Sequence, residues 1–399
     1  MSTLDVSLAE DYSYALKYLA DEDYAGKNMP ANTFSDPVHH APDSSPFPLM
    51  HLPTELILEI IKFLGPPDLA NMLRVNRTVQ LIAETELYKN PEPTPLRVIP
   101  CLKMLVTHSN LSSITRRLVL CDLTRNFDMC GSYLSLLSRA LHSMPALKDL
   151  ILLLDGPYAK YLHGCPFRLH SLRTTLTWDL DLVKWMDEQY ELSDAMFGGP
   201  FVKGTVLLPN ALGKISQISA TPLILAAVVP GRPVRGVEIS LLQPELMDDD
   251  IVWTTFRILS FSTGPVSSVQ MIADVSNPIK VLSVLNAIPK CMSRLDSFAL
   301  YGGRGTFTLD LAGSLTTFVS GFQYLRSITL ISRTPDGALL DQTTLRGLVG
   351  TLHASCPTLE CISFIGSVWV FDSQHGWVAL ANLEHMFHEG VAIERATGP

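Results

Sequence analysis

Charged residues are scarce in this chain, and no segment concentrates positive charge. Of its 399 residues 17% are charged, and 39 Asp and Glu outnumber 30 Lys and Arg, for a formal net charge of -9. Because an acidic protein without a basic segment repels phosphate backbones, we do not expect a nucleic-acid partner. The first residues are acidic and lack the basic start and apolar centre of a signal peptide.

Long apolar runs and paired cysteines are also missing. The longest runs, such as TPLILAAVVP, fall well short of the ~20 apolar residues that cross a bilayer. Seven cysteines are scattered with no Cys-x-x-Cys pair, which favours reduced thiols over a zinc site or a disulfide framework. We therefore expect a protein of the cytoplasm, the nucleus or both, without a membrane partner.

Motifs for catalysis or metal binding are incomplete. His385, His388 and Glu389 carry the letters of a zinc-protease motif in the wrong order, and no Gly-x-Ser-x-Gly elbow occurs. Lys203 precedes Gly204, so that segment is no phosphate-binding loop. We predict no catalytic, cofactor-binding or metal-binding residues and no enzymatic activity. The acidic segment at residues 247–251 is most simply a solvated turn, and the alternative is an acidic face for a basic substrate.

Three regions follow one another along the chain. Residues 1–47 are rich in Pro, Ser, Asp and Asn and predict a disordered or weakly ordered leader. Residues 48–90 have helical periodicity, and residues 91–399 a recurring helix-then-strand pattern. An irregular section near residues 155–232 interrupts that pattern, because its two strand-like segments stand at uneven separation.

A dense apolar helix opens the second region. Leu56, Ile60, Phe63 and Leu64 follow at helical spacing, and Ile57 and Ile61 widen the stripe. Pro53 suits the first turn, Gly65 predicts a left-handed stop, and two prolines after it forbid continuation.

Two further helices complete this region. Asp68 and Asn76 are suited to cap them, because a side-chain oxygen can accept a hydrogen bond from the first turn. Three short helices have too little interior to cover all of these aliphatic side chains. We therefore predict that a partner surface covers some of them, supplied either by the rest of the chain or by another protein.

The third region repeats with a period near 30 residues. The spacing is 32 from Val119 to Ile151, 32 from Val237 to Val269, 29 to Phe298, 30 to Ile328 and 34 to Ile362. A strand-plus-helix unit of this length cannot bury its own apolar face, so the pattern predicts units stacked side by side in a curved α/β solenoid with a parallel sheet.

The segment from Leu52 to Lys89 resembles an F-box. The resemblance rests on Leu52-Pro53, Glu55-Leu56, Ile60, Phe63-Leu64, Asp68-Leu69 and Val75-Asn76-Arg77, and it covers about a tenth of the chain. The repeats that follow are leucine-rich-repeat-like, although the strict consensus is absent. The double proline at Pro66 and Pro67 departs from the more polar turn common in the family.

The resemblance implies an adaptor role. In that family the F-box docks on an SKP-type adaptor, which is bound to a cullin-RING complex, and the repeats hold a protein substrate. The implied adaptor-binding residues are Leu52, Pro53, Glu55, Leu56, Ile60, Leu64, Leu69 and Val75. The resemblance therefore implies the substrate-recognition subunit of an SCF-type ubiquitin ligase. The alternative is a scaffold or assembly protein that uses the F-box only for protein-protein interaction, without a degraded client.

Overall fold

A computed structural model of the chain describes residues 52–121, 131–242, 249–305, 309–332, 342–364 and 367–380. The leader expected at residues 1–47 and the group His385, His388 and Glu389 lie outside these ranges. No helix within them is long and apolar enough to cross a membrane.

Five α-helices precede the first strand among the described residues, and strands and helices follow. The α-helices are α1 (Thr54–Ile61), α2 (Pro66–Met72), α3 (Arg77–Lys89), α4 (Val98–Thr107), α5 (Ser109–Ile114), α6 (Gly131–His142), α7 (Leu180–Met186), α8 (Pro222–Val228), α9 (Asp249–Leu259), α10 (Pro278–Cys291), α11 (Leu309–Val319) and α12 (Gln342–Ser355). The strands are β1 (Arg117–Leu120), β2 (Asp149–Gly156), β3 (Ser171–Leu176), β4 (Asp194–Phe197), β5 (Gln217–Ala220), β6 (Gly236–Leu241), β7 (Ser268–Asp274), β8 (Ser297–Arg304), β9 (Ser327–Ser332), β10 (Cys361–Phe364), β11 (Ser367–Asp372) and β12 (Gly376–Leu380).

The strands of the described ranges form one mixed sheet of 12 strands in the order of the chain. Strands β1 to β10 pair in parallel, each with the next, and β11 and β12 close the sheet as antiparallel neighbours. Every strand register counted from the sequence is confirmed: Val119 faces Ile151, Val237 faces Val269, Val269 faces Phe298, Phe298 faces Ile328, and Ile328 faces Ile362. The fold class is therefore mixed α/β with a mostly parallel sheet, as the alternating pattern predicted.

One face of the sheet is buried against the helices. Successive strand residues point to opposite faces, and in β7 Val269, Met271 and Ala273 are buried whereas Ser268 and Gln270 are only half-buried. The inward residues of the strands join the apolar residues of the helices in one continuous core. The helices in the described part of the chain leave the opposite face uncovered, and we call it the open face.

A chain of backbone hydrogen bonds links the residues just before each strand. The amide of Lys148 donates to the carbonyl of Arg116, the amide of His170 to that of Lys148, and so on in nine steps to Glu360, with N–O distances between 2.7 and 3.0 Å. The same bond at the same place in every unit fixes the strands in a common register, even where the units differ in length.

The section near residues 155–232, expected to be irregular, keeps this pairing with shorter units. Asp149, Ser171, Asp194 and Gln217 are register partners on neighbouring strands and stand 22, 23 and 23 residues apart. The connections from β2 to β3 and from β4 to β5 contain no α-helix, and their residues are all described. The expected break is therefore a change in unit length rather than in topology.

Two helix ends differ from the expectation at the start of the described chain. Gly65 has φ −73°, so it is not in the left-handed region, and it precedes α2 instead of stopping α1. Pro66 and Pro67 begin α2, because their missing N–H groups would have no partner in a first helical turn. Asp68 consequently lies in that first turn, not at the cap.

Candidate functional site

The first three helices enclose a small core of their own. Ile57 and Ile61 of α1 are buried together with Leu69 of α2 and Val79 and Ala83 of α3. Helix α3 begins as predicted, because the Asn76 side chain accepts a hydrogen bond from the Val79 amide at 2.9 Å. The two isoleucines that widen the apolar stripe of α1 therefore hold the three helices together.

Other apolar side chains of the same helices remain uncovered. The exposed fractions are 50% for Leu56, 41% for Ile60, 87% for Phe63 and 46% for Val75. Leu56 and Ile60 are four residues apart and lie on one side of α1, beside the buried row of Ile57 and Ile61. This uncovered set is large for three short helices, and it forms a candidate binding face for another protein.

The eight predicted adaptor-binding residues occupy three environments. Pro53, Glu55, Leu56, Ile60 and Val75 are exposed, and Leu52 and Leu64 are half-buried at the edge of the small core. Leu69 is only 4% exposed. Its side chain supports the face from inside and is not accessible to a partner in this structure. Phe63, which was absent from the implied set, lies in the turn after α1 and is the most exposed large apolar residue of this three-helix region.

The three helices join the sheet through direct hydrogen bonds. The carbonyl of Lys89, the last residue of α3, accepts from the Arg116 amide at 2.8 Å, and the carbonyl of Pro91 accepts from the Val119 amide at 3.2 Å. The Thr115 hydroxyl donates to the Tyr88 carbonyl at 3.0 Å, and the Tyr88 side chain packs against the large core. The end of α3 therefore covers the outer edge of β1.

A second candidate site lies on the open face of the sheet. Two register rows cross strands β3 to β7 there, one from Arg173 through Ser219 and Glu238 to Gln270, the other from Ser171 through Asp194 to Ser268. All of these residues except Ser171 line a cavity of about 190 Å³, whose wall also includes Met196 and Gln217. We call this cavity the polar groove.

Two carboxyl groups in the polar groove are in an unfavourable environment for charge. Burial raises the pKa of Glu238, although a hydrogen bond from the Ser219 hydroxyl at 2.6 Å and the charge of Arg173 oppose the shift. Burial likewise raises the pKa of Asp194, against the opposing effect of Arg173. The charge of Asp194 further raises the pKa of Glu238, and the charge of Asp149 further raises that of Asp194, so a cation near the two groove acids would be stabilising.

A Cys-His contact occurs elsewhere but is not arranged for nucleophilic chemistry. The Cys165 sulfur lies 3.8 Å from Nδ1 of His142, a nitrogen that is also 2.7 Å from the Ser138 carbonyl oxygen. Burial, with a smaller effect of Glu188, raises the pKa of Cys165 to about 12, so the thiol stays protonated at neutral pH. Among the described residues no group of three or more His, Cys, Asp and Glu side chains is placed to hold a metal ion.

The polar groove was missed by inspection of the sequence. Its residues come from five strands, and each strand contributes one or two polar side chains at alternate positions. Strand β4 was not foreseen, and without it Asp194 could not be placed on the open face. The alternation of polar residues within each strand was the available signal, but it is typical of any sheet with one solvated face.

Comparison with known proteins finds a family match for the three-helix region of the chain. A family model described as F-box-like matches residues 49–92. A search of curated proteins finds no match to the chain. The chain thus contains an F-box-like domain, which is a protein-protein interaction module, and the matched range agrees with the segment that resembled an F-box in the sequence.

Proposed function

We propose that this chain is the non-catalytic substrate-recognition subunit of an SCF-type ubiquitin ligase. The observation that carries the proposal is the uncovered apolar set of Leu56, Ile60, Phe63 and Val75 on a domain that matches the F-box-like family. The partner of this face would be an SKP-type adaptor, and through it a cullin-RING complex.

The exposed face has the features of a helix that enters a groove on another protein. Leu56 and Ile60 supply apolar anchors at helical spacing, and Phe63 follows them in the turn after α1. Their neighbours Ile57 and Ile61 are fixed in the small core, so the helix presents the anchors without much conformational freedom. Preorganised apolar anchors of this kind carry most of the binding energy in typical interfaces.

The sheet domain would hold the client. Each of its parallel strands pairs with the next one along the chain, and the helices pack on one face, an arrangement that favours a curved leucine-rich-repeat-like solenoid. Such a scaffold binds partners on the face or loops that its helices leave uncovered. The hydrogen bonds between α3 and β1 would keep a client at a fixed position relative to the adaptor.

In this proposal the chain acts by proximity. A client lysine held near a ubiquitin-charged enzyme has a raised effective concentration, and the chain itself supplies no reacting group.

Co-purification with an SKP-type adaptor tests the docking face. We expect Leu56→Asp combined with Ile60→Asp to weaken adaptor binding by at least about thirtyfold, because each change puts a charge into an apolar contact. The matched control is Leu223→Asp, which alters a leucine of similar exposure, 47%, in the first turn of α8. Unchanged adaptor binding by the double variant would contradict the proposed interface.

Client turnover separates a ligase subunit from a scaffold. The double variant should still bind its clients, so the proteins that co-purify with it are identified first. The half-life of each is then measured in cells that express the natural chain and in cells that express the double variant. A longer half-life of a captured protein in cells with the double variant supports the ligase function. Unchanged half-lives for all captured proteins would favour a non-degradative scaffold or assembly role.

A further inference from the structure

The polar groove lies in the middle of the open face, where a client would meet the sheet. Its floor is formed by the central strands β4, β5 and β6, and its walls carry Arg173 on one side and Gln270 on the other. No helix of the described residues lies over it, because those helices pack on the opposite face. The groove is therefore reachable by an extended segment of another chain.

The charge of the groove is unbalanced. Asp194 and Glu238 contribute two carboxylates and Arg173 one guanidinium, and Arg173 forms no ion pair with either acid among the described residues. The two acids stand two strands apart and are offset by two residues along the strands, which places their Cα atoms about 12 Å apart. One further positive charge between them would neutralise the groove and offset the cost of burying both acids.

An organic cation fits this position better than a metal ion. Metal ions need several ligands at short range, and no suitable group of three is found in the described ranges. The groove instead places Met196 and the backbone of β4 and β5 beside the acids. Lysine and arginine carry a long apolar stem below the charge, and such stems pack along apolar surface while the charged end meets a carboxylate.

The groove is large enough for one side chain of a bound segment, and its amide groups can bind the backbone of that segment. A volume of about 190 Å³ equals the liquid volume of roughly six water molecules, which is enough for the end of one long side chain. Gln217 and Gln270 flank this space, and each carboxamide can both donate to and accept from the backbone of a bound segment.

We propose that the polar groove binds an extended segment of a client protein and takes one lysine or arginine side chain between Asp194 and Glu238. The inference rests on the proposed function, since it names the chemistry of the client that the sheet domain would recognise.

The test uses peptide pools that differ at one position. Each pool contains extended peptides with blocked ends, in which every position except the central one is an equimolar mixture of uncharged residues. The central residue is lysine in the first pool and Nε-acetyllysine or glutamate in the matched pools. Binding to the full chain is measured by fluorescence anisotropy. We expect the lysine pool to bind at least about tenfold more tightly than the acetyllysine pool, because acetylation removes the charge.

Two variants test whether this preference for lysine arises in the groove. Glu238→Gln and Asp194→Asn keep the size of the side chain and should each reduce the preference for lysine severalfold. The matched control is Glu360→Gln, which removes an exposed carboxylate just before β10 and should leave the preference unchanged. The comparison of pools needs only the unaltered chain, so it stands even if a variant folds poorly.

Several results would overturn the inference. These are equal affinity for the lysine and acetyllysine pools, tighter binding of the glutamate pool by Arg173, no binding of any pool at millimolar peptide, or a preference that survives both groove variants. Adaptor co-purification from the same preparations is scored separately. Adaptor binding without lysine selectivity would reject the groove alone, whereas lysine selectivity without adaptor binding would reject the ligase function.

Discussion

Arg232 is a buried cation whose partners are backbone carbonyl groups. It is 4% exposed, and its guanidinium donates to the carbonyls of Ala211 at 2.8 Å, Val228 at 2.6 Å, Pro230 at 3.1 Å and Leu208 at 2.9 Å. It thereby ties the end of α8 to the helix-free connection between β4 and β5. Burial lowers its pKa, an effect that Asp187 opposes, and the group still remains charged at neutral pH.

The cost of removing the guanidinium follows from these bonds. In Arg232→Met the buried carbonyls of Ala211 and Val228 lose their donor, at about 1–3 kcal/mol each. The Leu208 carbonyl keeps a bond from the Ala211 amide at 3.0 Å, and the Pro230 carbonyl is partly solvated, so these two add little. The variant also avoids burying a charge, which offsets part of the loss. We expect a net destabilisation of about 2–4 kcal/mol.

Urea unfolding followed by tryptophan fluorescence measures this loss. Trp178 and Trp185 are fully buried in the same part of the core and report its unfolding. The matched control is Arg235→Met, because the Arg235 side chain is exposed and lies three residues away. Arg232→Lys should fall between the two, since one ammonium cannot reach all four carbonyls. A change below about 0.5 kcal/mol in Arg232→Met, the size typical of surface substitutions, would refute the reasoning.

Two further predictions concern the small core and the polar groove. Ile61→Ala should destabilise the three-helix domain by about 2–4 kcal/mol in thermal or urea unfolding, whereas Leu56→Ala, at a half-exposed position, should leave stability nearly unchanged; equal losses would contradict the division into core and face. Burial raises the pKa of Glu238, so folding favours the protonated form of this carboxyl group. The stability that the protonated group confers is present below its unfolded-state pKa of about 4.3 and is lost as the pH rises through the folded-state pKa. Glu238→Gln should therefore have the same melting temperature as the natural chain near pH 4 and a higher melting temperature at pH 7. A difference in melting temperature that stays constant across that range would contradict this.

The strand pairings could be predicted best where the same strand-plus-helix unit repeats. The parallel pairings from Val237 to Ile362 could be counted in advance because each unit reuses one strand pattern at similar length. Strand β4 was missed because Asp194–Phe197 is only four residues long and is followed by no helix. The antiparallel strands β11 and β12 were missed because they depart from the repeated unit.

The sequence of α1 alone does not separate its exposed apolar residues from its buried ones. Ile57 and Leu56 are adjacent, equally apolar and equally suited to helix α1, yet one is 5% and the other 50% exposed. The difference arises from the way α3 crosses α1, which the sequence of α1 alone does not encode. Leu69 was included among the contacts for the same reason, although the packing of α2 turns it inward.

The two candidate sites are joined by regular structure rather than by a linker. Helix α3 carries the small core, and the residues at its end bond directly to β1, whose register then passes strand by strand to the polar groove. Each step in this path is a backbone hydrogen bond between packed elements, so bending it would break several bonds at once. An adaptor bound at Leu56 and Ile60 would consequently have a fixed distance and direction to a client held at Glu238. A fixed geometry of this kind suits a chain whose contribution is to position one partner against another.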